Sequence, residues 1–478
     1  MNKKKELFKN IVIFGIGTFG TKVMQMLLVP LYTIYMTTSE FGVADVINST
    51  NSLISPILTL GLGNGLLRYL LGKAENEKAA TKLAVTVCFG GTALLALFVP
   101  LVSKIEIFGE YSYILPILYF VTTLKMYLSQ ICKAKEKNII YAIDGILQTV
   151  ILTVFCILFI AIWKWGVRGY LYSIIIANAV SIIYYGIFIH LFRLLHHSKF
   201  DKKLNREMLR YSLPLIPNEL SWWVIQMSDR YMVIFFCGES LNGIYSMAYK
   251  IPGIFNLLVS VFIQAFGITA IKECDTGKKI NGKVDGTFFE KLFEKYIGLT
   301  FIAVIIVILL SRPLAFVFLK NDFYEAWKFI PLLLVAFAIG NLQSFYGSIL
   351  SGIKKTKIIS QSTVSGMIVN IALNLLLIPV INAYGASIAT IISYFVVYIV
   401  RLIGIKKHIL MNNFEKKAII SFVIIFIISC LYISGNEILL ALSFVFSVVI
   451  IIFNKNIIID GVMIIKNSAI KIKDKICR

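Results

Sequence analysis

LRYSLPLIPNELSWWVIQMSDRYMVIFFCGESLNGIYSMAYKIP, residues Leu209 to Pro252, decides the fold of this chain. Two apolar runs meet at the turn CGES, and each is long enough to cross a bilayer, one over 212–236 and the other over 242–270. Both carry polar residues at helical spacing. Glu219, Trp223, Gln226 and Arg230 form a stripe on the first, and Ser246, Lys250, Gly253, Ser260 and Gln264 a stripe on the second. Ionisable groups at membrane depth cost several kcal/mol unless they face protein or water. The stretch therefore reads as part of a helical membrane protein with a polar interior.

The remaining sequence agrees. Of 478 residues 58% are hydrophobic and 15% charged, with mean hydropathy +0.83, whereas soluble domains run nearer 45–50% apolar and 25% charged. A soluble multidomain enzyme is excluded. Apolar blocks are expected to span near 11–35, 42–67, 82–102, 111–131, 139–161, 169–192, 212–236, 242–270, 293–318, 327–351, 358–378, 384–404, 417–434 and 437–453. The expected fold class is an all-α polytopic membrane protein with about fourteen helices.

The net charge of +22 would suggest nucleic acid in a soluble protein. Its distribution says otherwise. Roughly 37 of the 47 Lys and Arg fall in the N-terminal segment, alternate loops and the C-terminal tail. About six, such as Lys104, Lys164 and Arg168, lie in the opposite loops, and Lys22, Lys125, Arg230 and Lys250 lie inside spans. Both termini are expected on the cytoplasmic side. The basic N-terminus leads into an apolar run too long for a signal-peptide core, so it reads as the first span.

Catalytic and metal motifs are weak. Gly15, Gly17 and Gly20 satisfy G-x-G-x-x-G, but inside a continuous apolar helix rather than a βαβ unit, so they read as small residues for helix packing. No Walker A motif is present. His190, His196, His197 and His408 lack metal-ligand spacing, and the seven cysteines form no C-x-x-C pair. No enzyme activity, cofactor or metal is expected.

Polar stripes recur elsewhere: Gly15, Thr18, Lys22 and Gln25 in the first span, Asp45, Asn48, Ser52, Ser55 and Thr59 in the second, then Asn341, Ser344 and Ser348, and Thr363, Asn370 and Asn374. Such groups either hydrogen-bond between helices or line a shared cavity. The cations Lys22, Arg230 and Lys250 need anionic partners, either a transported anion or Asp45, Asp144, Glu219 and Asp229. Asp229 and Arg230 are adjacent and point about 100° apart, so one is expected to pair across helices while the other faces the cavity. Lys125 and Asp144 form either a salt bridge or a cavity floor.

An internal repeat is also legible. MTTSEFGVADV resembles CGESLNGIYSM, aligning Ser39 with Ser240 and Gly42 with Gly243, and GYLYSIIIAN from Gly169 resembles GASIATIIS from Gly385. Two six-span halves in the same orientation are implied. The stretch Arg193 to Arg210 reads as an amphipathic linker between them.

These residues carry a family likeness. Leu209 to Pro252 strongly resembles the corresponding stretch of Wzx-type polysaccharide flippases of the MOP exporter superfamily, relatives of the MATE exporters and the MurJ lipid II flippases. SEFGVADV (Ser39 to Val46), LGLGNGLLRYLL (Leu60 to Leu71) and IKKTK (Ile353 to Lys357) fit the same family, and the likeness covers roughly residues 5–405.

The resemblance implies two six-helix bundles in a V around a cationic lumen. Residues 1–210 would form the first lobe and linker, 211–405 the second, and 406–478 two additional helices and a basic tail. It further implies export of undecaprenyl-pyrophosphate-linked oligosaccharide units from the inner to the outer leaflet of a bacterial cytoplasmic membrane, for O-antigen, capsule or exopolysaccharide. Transport would be by alternating access coupled to ions or protons. Lys22, Arg230 and Lys250 would meet the pyrophosphate, and Trp223, Gln226, Gln264 and Asn374 the sugars. Asp45, Asp144, Asp229, Glu219 and Lys125 would serve coupling or switching salt bridges. Expected partners are the lipid-linked oligosaccharide, membrane lipid and polysaccharide polymerase or assembly proteins, without nucleic acid. Lipid II is an alternative cargo. A MATE-like cation antiporter would want an acidic lumen, and a membrane glycosyltransferase or polymerase would want long outer loops and catalytic acids.

Overall fold

The computed structural model describes residues 26–70, 76–196, 201–276, 279–280, 283–410 and 414–453. The chain forms two compact units, Met1–Lys250 with Phe318–Phe323, and Ile251–Val317 with Tyr324–Arg478.

In the first unit, α1 (Val29–Tyr35) begins with a proline in its first turn, where the missing N–H costs nothing. α2 (Thr38–Leu58) opens on a capping box. The Thr37 hydroxyl accepts from the Glu40 N–H at 3.2 Å, and the Glu40 carboxylate accepts from the Thr37 N–H at 2.8 Å. Leu60 and Gly61 then adopt φ of +52° and +64°, and α3 (Leu62–Leu70) departs at 56° from α2. The expected continuous span 42–67 is thus corrected to a broken one. At Gly61 a Cβ would also come within 2.8 Å of the Ser212 carbonyl, so the break needs glycine twice over.

α4 (Glu77–Val102), α5 (Ile114–Ala134), α6 (Asn138–Cys156) and α7 (Gly166–Phe188) follow. α6 continues as a π turn over Ile157–Ile162. Short helices α8 (Leu191–His196) and α9 (Lys202–Ser212) lead to α10 (Ile216–Cys237) and α11 (Glu239–Ala248), which meet at Gly238, φ +89°. Leu62, Leu66, Ala84, Cys88, Tyr127, Leu128, Cys132 and Met208 pack into one buried cluster. α10 and α11 pack on α2 within this unit.

The second unit contains α12 (Lys250–Thr276) from Ile251 onward, α13 (Thr287–Leu309), α14 (Ser311–Phe318) up to Val317, α15 (Ile330–Gly352), α16 (Thr356–Lys406), α17 (Phe414–Ile433) and α18 (Glu437–Phe453). Breaks at Tyr249 and Leu310 divide the expected spans 242–270 and 293–318. α16 covers two expected spans, and its non-helical Ile381 and Asn382 mark the kink between them. A small sheet accompanies the helices. β1 (Lys279–Ile280) pairs antiparallel with β2 (Lys283–Asp285), which pairs parallel with β3 (Ile409–Leu410). In the core Phe266 stacks on Phe345 at 4.0 Å between ring centroids and Tyr346 on Tyr398, while Phe345 meets Tyr346 edge-on.

Among the described residues seven helices are long and apolar enough to cross a membrane, or eight if α2 and α3 form one span. Lys417–Ile433 and Glu437–Ile450 are apolar but shorter. Large side chains such as Leu97, Phe98, Leu101, Ile146 and Val154 face outward, which suits helices whose solvent is hydrocarbon.

Candidate functional site

The polar stripes of α2 and α10 meet inside the first unit. Asp45 and Arg230 pair at 2.7 Å through Nε, with the residues 9% and 5% exposed. The Ser246 hydroxyl, from α11, donates to the same Asp45 oxygen at 2.7 Å and accepts from Arg230 Nε at 3.3 Å. Arg230 also donates to the Gln226 carbonyl at 3.1 Å and contacts the Met227 sulfur. Its guanidinium lies over the Tyr249 ring, 4.8 Å from the centroid. A buried charge is thereby met by an opposite charge, hydrogen bonds and a π face, which is how such a group is tolerated in a membrane.

Asp229, one residue earlier, points elsewhere and is fully buried. Its Oδ2 accepts from the Tyr245 and Tyr249 hydroxyls at 2.9 and 2.7 Å, and its Oδ1 from the Arg230 N–H at 2.9 Å. The two tyrosines sit at i and i+4 on one face, running from α11 to the Tyr249 junction, so a single helical turn makes the carboxylate clamp.

Further along the same interface, Trp223 Nε1 donates to Ser52 Oγ at 3.0 Å and to the Ser49 carbonyl at 3.2 Å. The hydroxyls of Thr50 and Tyr231 lie 2.5 Å apart. At the α2–α3 break, Asn64 donates to Glu219 at 2.6 Å. Here Asn51, Ser52, Ser55, Thr59, Asn64 and Glu219 line a cavity of about 390 Å³.

Other sequence candidates lie apart. Lys125 sits 3.5 Å from Asp144 and donates to Gln148 at 2.9 Å, while Gln148 donates to Asn178 at 3.1 Å, making a separate network of α5, α6 and α7. Lys250 Nζ lies 5.6 Å from the Phe41 ring centroid. The Gln226 side chain is exposed, and only its carbonyl serves Arg230. In the second unit, Asn374 is buried and donates to Asn370 at 3.0 Å. Lys22, the glycines Gly15, Gly17 and Gly20, and the Gln264 side chain lie outside the described residues. Among the described residues no group of three His, Cys, Asp or Glu side chains could hold a metal ion.

Two features escape a sequence reading. Tyr245 and Tyr249 look like ordinary apolar-face residues until Asp229 is placed beside them. Arg401, which reads as the edge of a basic loop, lies inside α16 and is 3% exposed. It donates to the Gln343 carbonyl at 2.7 Å and to Ser362 and Thr363 at 3.1 and 3.5 Å. A Cβ at Gly347 would stand 2.6 Å from its guanidinium, so glycine makes its room.

Residues 7–267 match the family described as polysaccharide biosynthesis protein. An uncharacterized membrane protein of Methanocaldococcus jannaschii is 28% identical over 269 residues, which are 51% of this chain and 60% of that protein. The chain thus matches less than two thirds of that relative's length. Among solved structures, the lipid II flippase MurJ in an inward closed conformation aligns with a TM-score of 0.66 at 14% identity, over 95% of this chain and 100% of that one. A MOP superfamily transporter from Pyrococcus furiosus aligns at 0.58 and 14%, over 83% and 96%. An inward-facing MATE family multidrug resistance transporter aligns at 0.59 and 14%, over 81% and 98%. At these identities the likeness is one of fold, that of polytopic MOP-type membrane proteins.

Proposed function

The chain belongs to the polysaccharide biosynthesis protein family, and on that premise we propose that it is a flippase. Its cargo is an undecaprenyl-pyrophosphate-linked oligosaccharide, moved from the inner to the outer leaflet of the cytoplasmic membrane for assembly into a surface polysaccharide. The observation that carries this reading is the buried Asp45–Arg230–Ser246 cluster, with a polar cavity further along the same α2–α10 interface. A pyrophosphate presented to Arg230 competes with Asp45 for the same guanidinium, so cargo entry and release of the α2–α10 contact are one event. Such exchange gives the cargo the differential affinity for two conformations that alternating access requires.

In this reading Lys22 and Lys250 add to the headgroup site, Trp223, Gln226, Gln264 and Asn374 meet sugars, and Asp229 takes up the coupling proton. Glu219 and the Lys125–Asp144 pair are switching contacts. Residues 1–210 and 211–405 act as pseudo-symmetric lobes, residues 406–478 as an accessory pair of helices and tail, and both termini are cytoplasmic.

The test is transport of a fluorescent undecaprenyl-pyrophosphate oligosaccharide in proteoliposomes of the full chain, read by accessibility to an external glycosidase. A depletion strain should accumulate lipid-linked glycan on the inner leaflet. Absence of both effects overturns the proposal. Lipid II shares the pyrophosphate chemistry, and a parallel vesicle set loaded with it separates the two cargoes.

A further inference from the structure

A second pocket of the first unit, lined by residues other than those of the Asp45–Arg230 cluster, has the chemistry of a sugar site. Four chain segments meet there: the start of α2, the short 3₁₀ turn Gly109–Tyr111, the α6–α7 connection and the first turns of α7. They border an open pocket of about 480 Å³, within the ~300–1,000 Å³ usual for small-molecule sites and ample for about one or two pyranose rings. Its functional lining is Glu40, Glu110, Tyr111, Trp165, Arg168 and Tyr172.

The aromatic floor is built, not incidental. The π turn ends with the Trp163 N–H bonded to the Leu158 carbonyl at 2.9 Å and the Trp165 N–H to the Phe159 carbonyl at 2.8 Å. Phe159 consequently stacks with both indoles, at 5.2 Å from Trp163 and 5.0 Å from Trp165. Trp165 stays 45% exposed and meets Tyr172 edge-on at 6.3 Å. Interfacial tryptophans of membrane proteins commonly anchor to lipid headgroups. This one is fixed by Phe159 and borders a pocket carrying two carboxylates and a guanidinium.

The polar rim is equally organised. Arg168 pairs with Glu110 at 2.5 Å, and the Tyr172 and Tyr113 hydroxyls lie 3.0 Å apart. Gly166, at φ +50°, admits the Glu40 carboxylate, because a Cβ there would collide with it. Glu40 is oriented by the Thr37 capping box, which places an acceptor in the wall at low entropic cost.

We propose that this pocket binds a neutral or amino-sugar pyranose unit of a glycan. A pyranose pairs an apolar C–H face with a rim of hydroxyls. The first suits the exposed indole, and the second suits Glu40 and Glu110 as acceptors and Arg168 and Tyr111 as donors. Two carboxylates against one guanidinium leave the lining net negative, which disfavours uronic acids and free phosphate. Burial and the neighbouring Glu110 push the Tyr111 phenol up to about 12, so it remains a donor at neutral pH. The choice of a glycan as occupant rests on the flippase reading above, whereas the pocket's geometry does not.

The experiment is saturation-transfer NMR on the full chain in nanodiscs, with methyl glycosides of glucose, galactose, N-acetylglucosamine and glucuronic acid as probes. At least one neutral or N-acetylated probe should bind, glucuronide more weakly. Trp165→Ala should weaken binding about tenfold, and Trp165→Phe should restore most of it. Glu110→Gln should shift the preference toward the glucuronide. Unaltered size-exclusion behaviour and helicity exclude misfolding as the cause. No binding by any neutral probe, or equal binding by Trp165→Ala, overturns the proposal. Vesicle transport run in parallel separates the two readings: Trp165-dependent binding without lipid-linked transport sinks the flippase and keeps the pocket, and transport without such binding does the reverse.

Discussion

Gly42 and Gly243, matched positions of the internal repeat, lie against one another where α2 crosses α11. A Cβ on Gly243 would strike the Thr38 carbonyl, and one on Gly42 the Glu239 carbonyl. The contact is reciprocal, with Thr38 bonded to Ser240 at 2.7 Å, Ser39 to Glu239, and the Asn242 side chain donating to the Gly42 carbonyl at 3.1 Å. Repeated sequence has met itself about a local two-fold relation, the geometry of an isologous interface within one chain.

Gly42→Ala and Gly243→Ala should each force the helices apart, because the obstacles are backbone atoms that cannot rotate away. Overpacking of this kind costs about 1–3 kcal/mol. Each variant should lower the thermal midpoint in detergent, and the double variant should lose less than the sum, since one separation accommodates both methyl groups. Strict additivity would show that the two glycines do not share a contact.

Arg230→Ala and Asp45→Ala should each be more disruptive than loss of a surface pair, by about 3–5 kcal/mol, because each strands a buried charge. A double-mutant cycle with Asp45→Asn and Arg230→Gln should give strong coupling in thermal unfolding. A coupling near zero would mean that the 2.7 Å contact carries no energy.

Asp229→Asn leaves a side chain of similar shape between Tyr245 and Tyr249 but removes the titrating group. Folding should survive, judged by size exclusion, while transport in vesicles should stop responding to an imposed proton gradient. A variant that keeps the full gradient response would remove Asp229 from coupling.

His408 lies beyond α16, where burial, then Lys355, Lys407 and Lys283, hold its pKa below the usual 6.5. The neutral ring is therefore favoured in the folded state, and the unfolded chain binds more protons. Stability from this site is complete above about pH 6.5 and declines as pH falls through the lowered native value. The protection of the Val284 N–H, bonded to the His408 carbonyl at 3.1 Å, relative to its intrinsic exchange rate at each pH, should fall on acidification. His408→Gln should flatten that pH dependence.

Much of this arrangement is legible in the sequence. Helical spacing places Asp45 and Ser52 on one stripe and Trp223 and Arg230 on another, and the adjacency of Asp229 and Arg230 already points them to different partners. The repeat likewise singles out Gly42 and Gly243. What escapes depends on backbone angles and tertiary neighbours. Nothing in Leu60 as a residue type announces φ +52°, so the broken span reads as continuous. Arg401 reads as a loop cation because Lys406 and Lys407 follow it, and only the packing at Gly347 reveals its burial. Trp165 and Arg168 fall in a connection too short to attract notice, and their pocket exists only because α2 and the 3₁₀ turn arrive from elsewhere in the chain.

The π turn Ile157–Ile162 has a consequence for heredity. A π turn holds more residues than the α turn it replaces, so deleting one codon there would let the segment rewind as ordinary α-helix. Trp163 and Trp165, held by the bonds that this turn makes to the Leu158 and Phe159 carbonyls, would then lose that anchorage, with every pocket residue unchanged in identity. Selection acting on chain length at this stretch, rather than on substitutions, would thus change how firmly the indoles are held, and lineages that diverged in this way would look alike in every aligned residue.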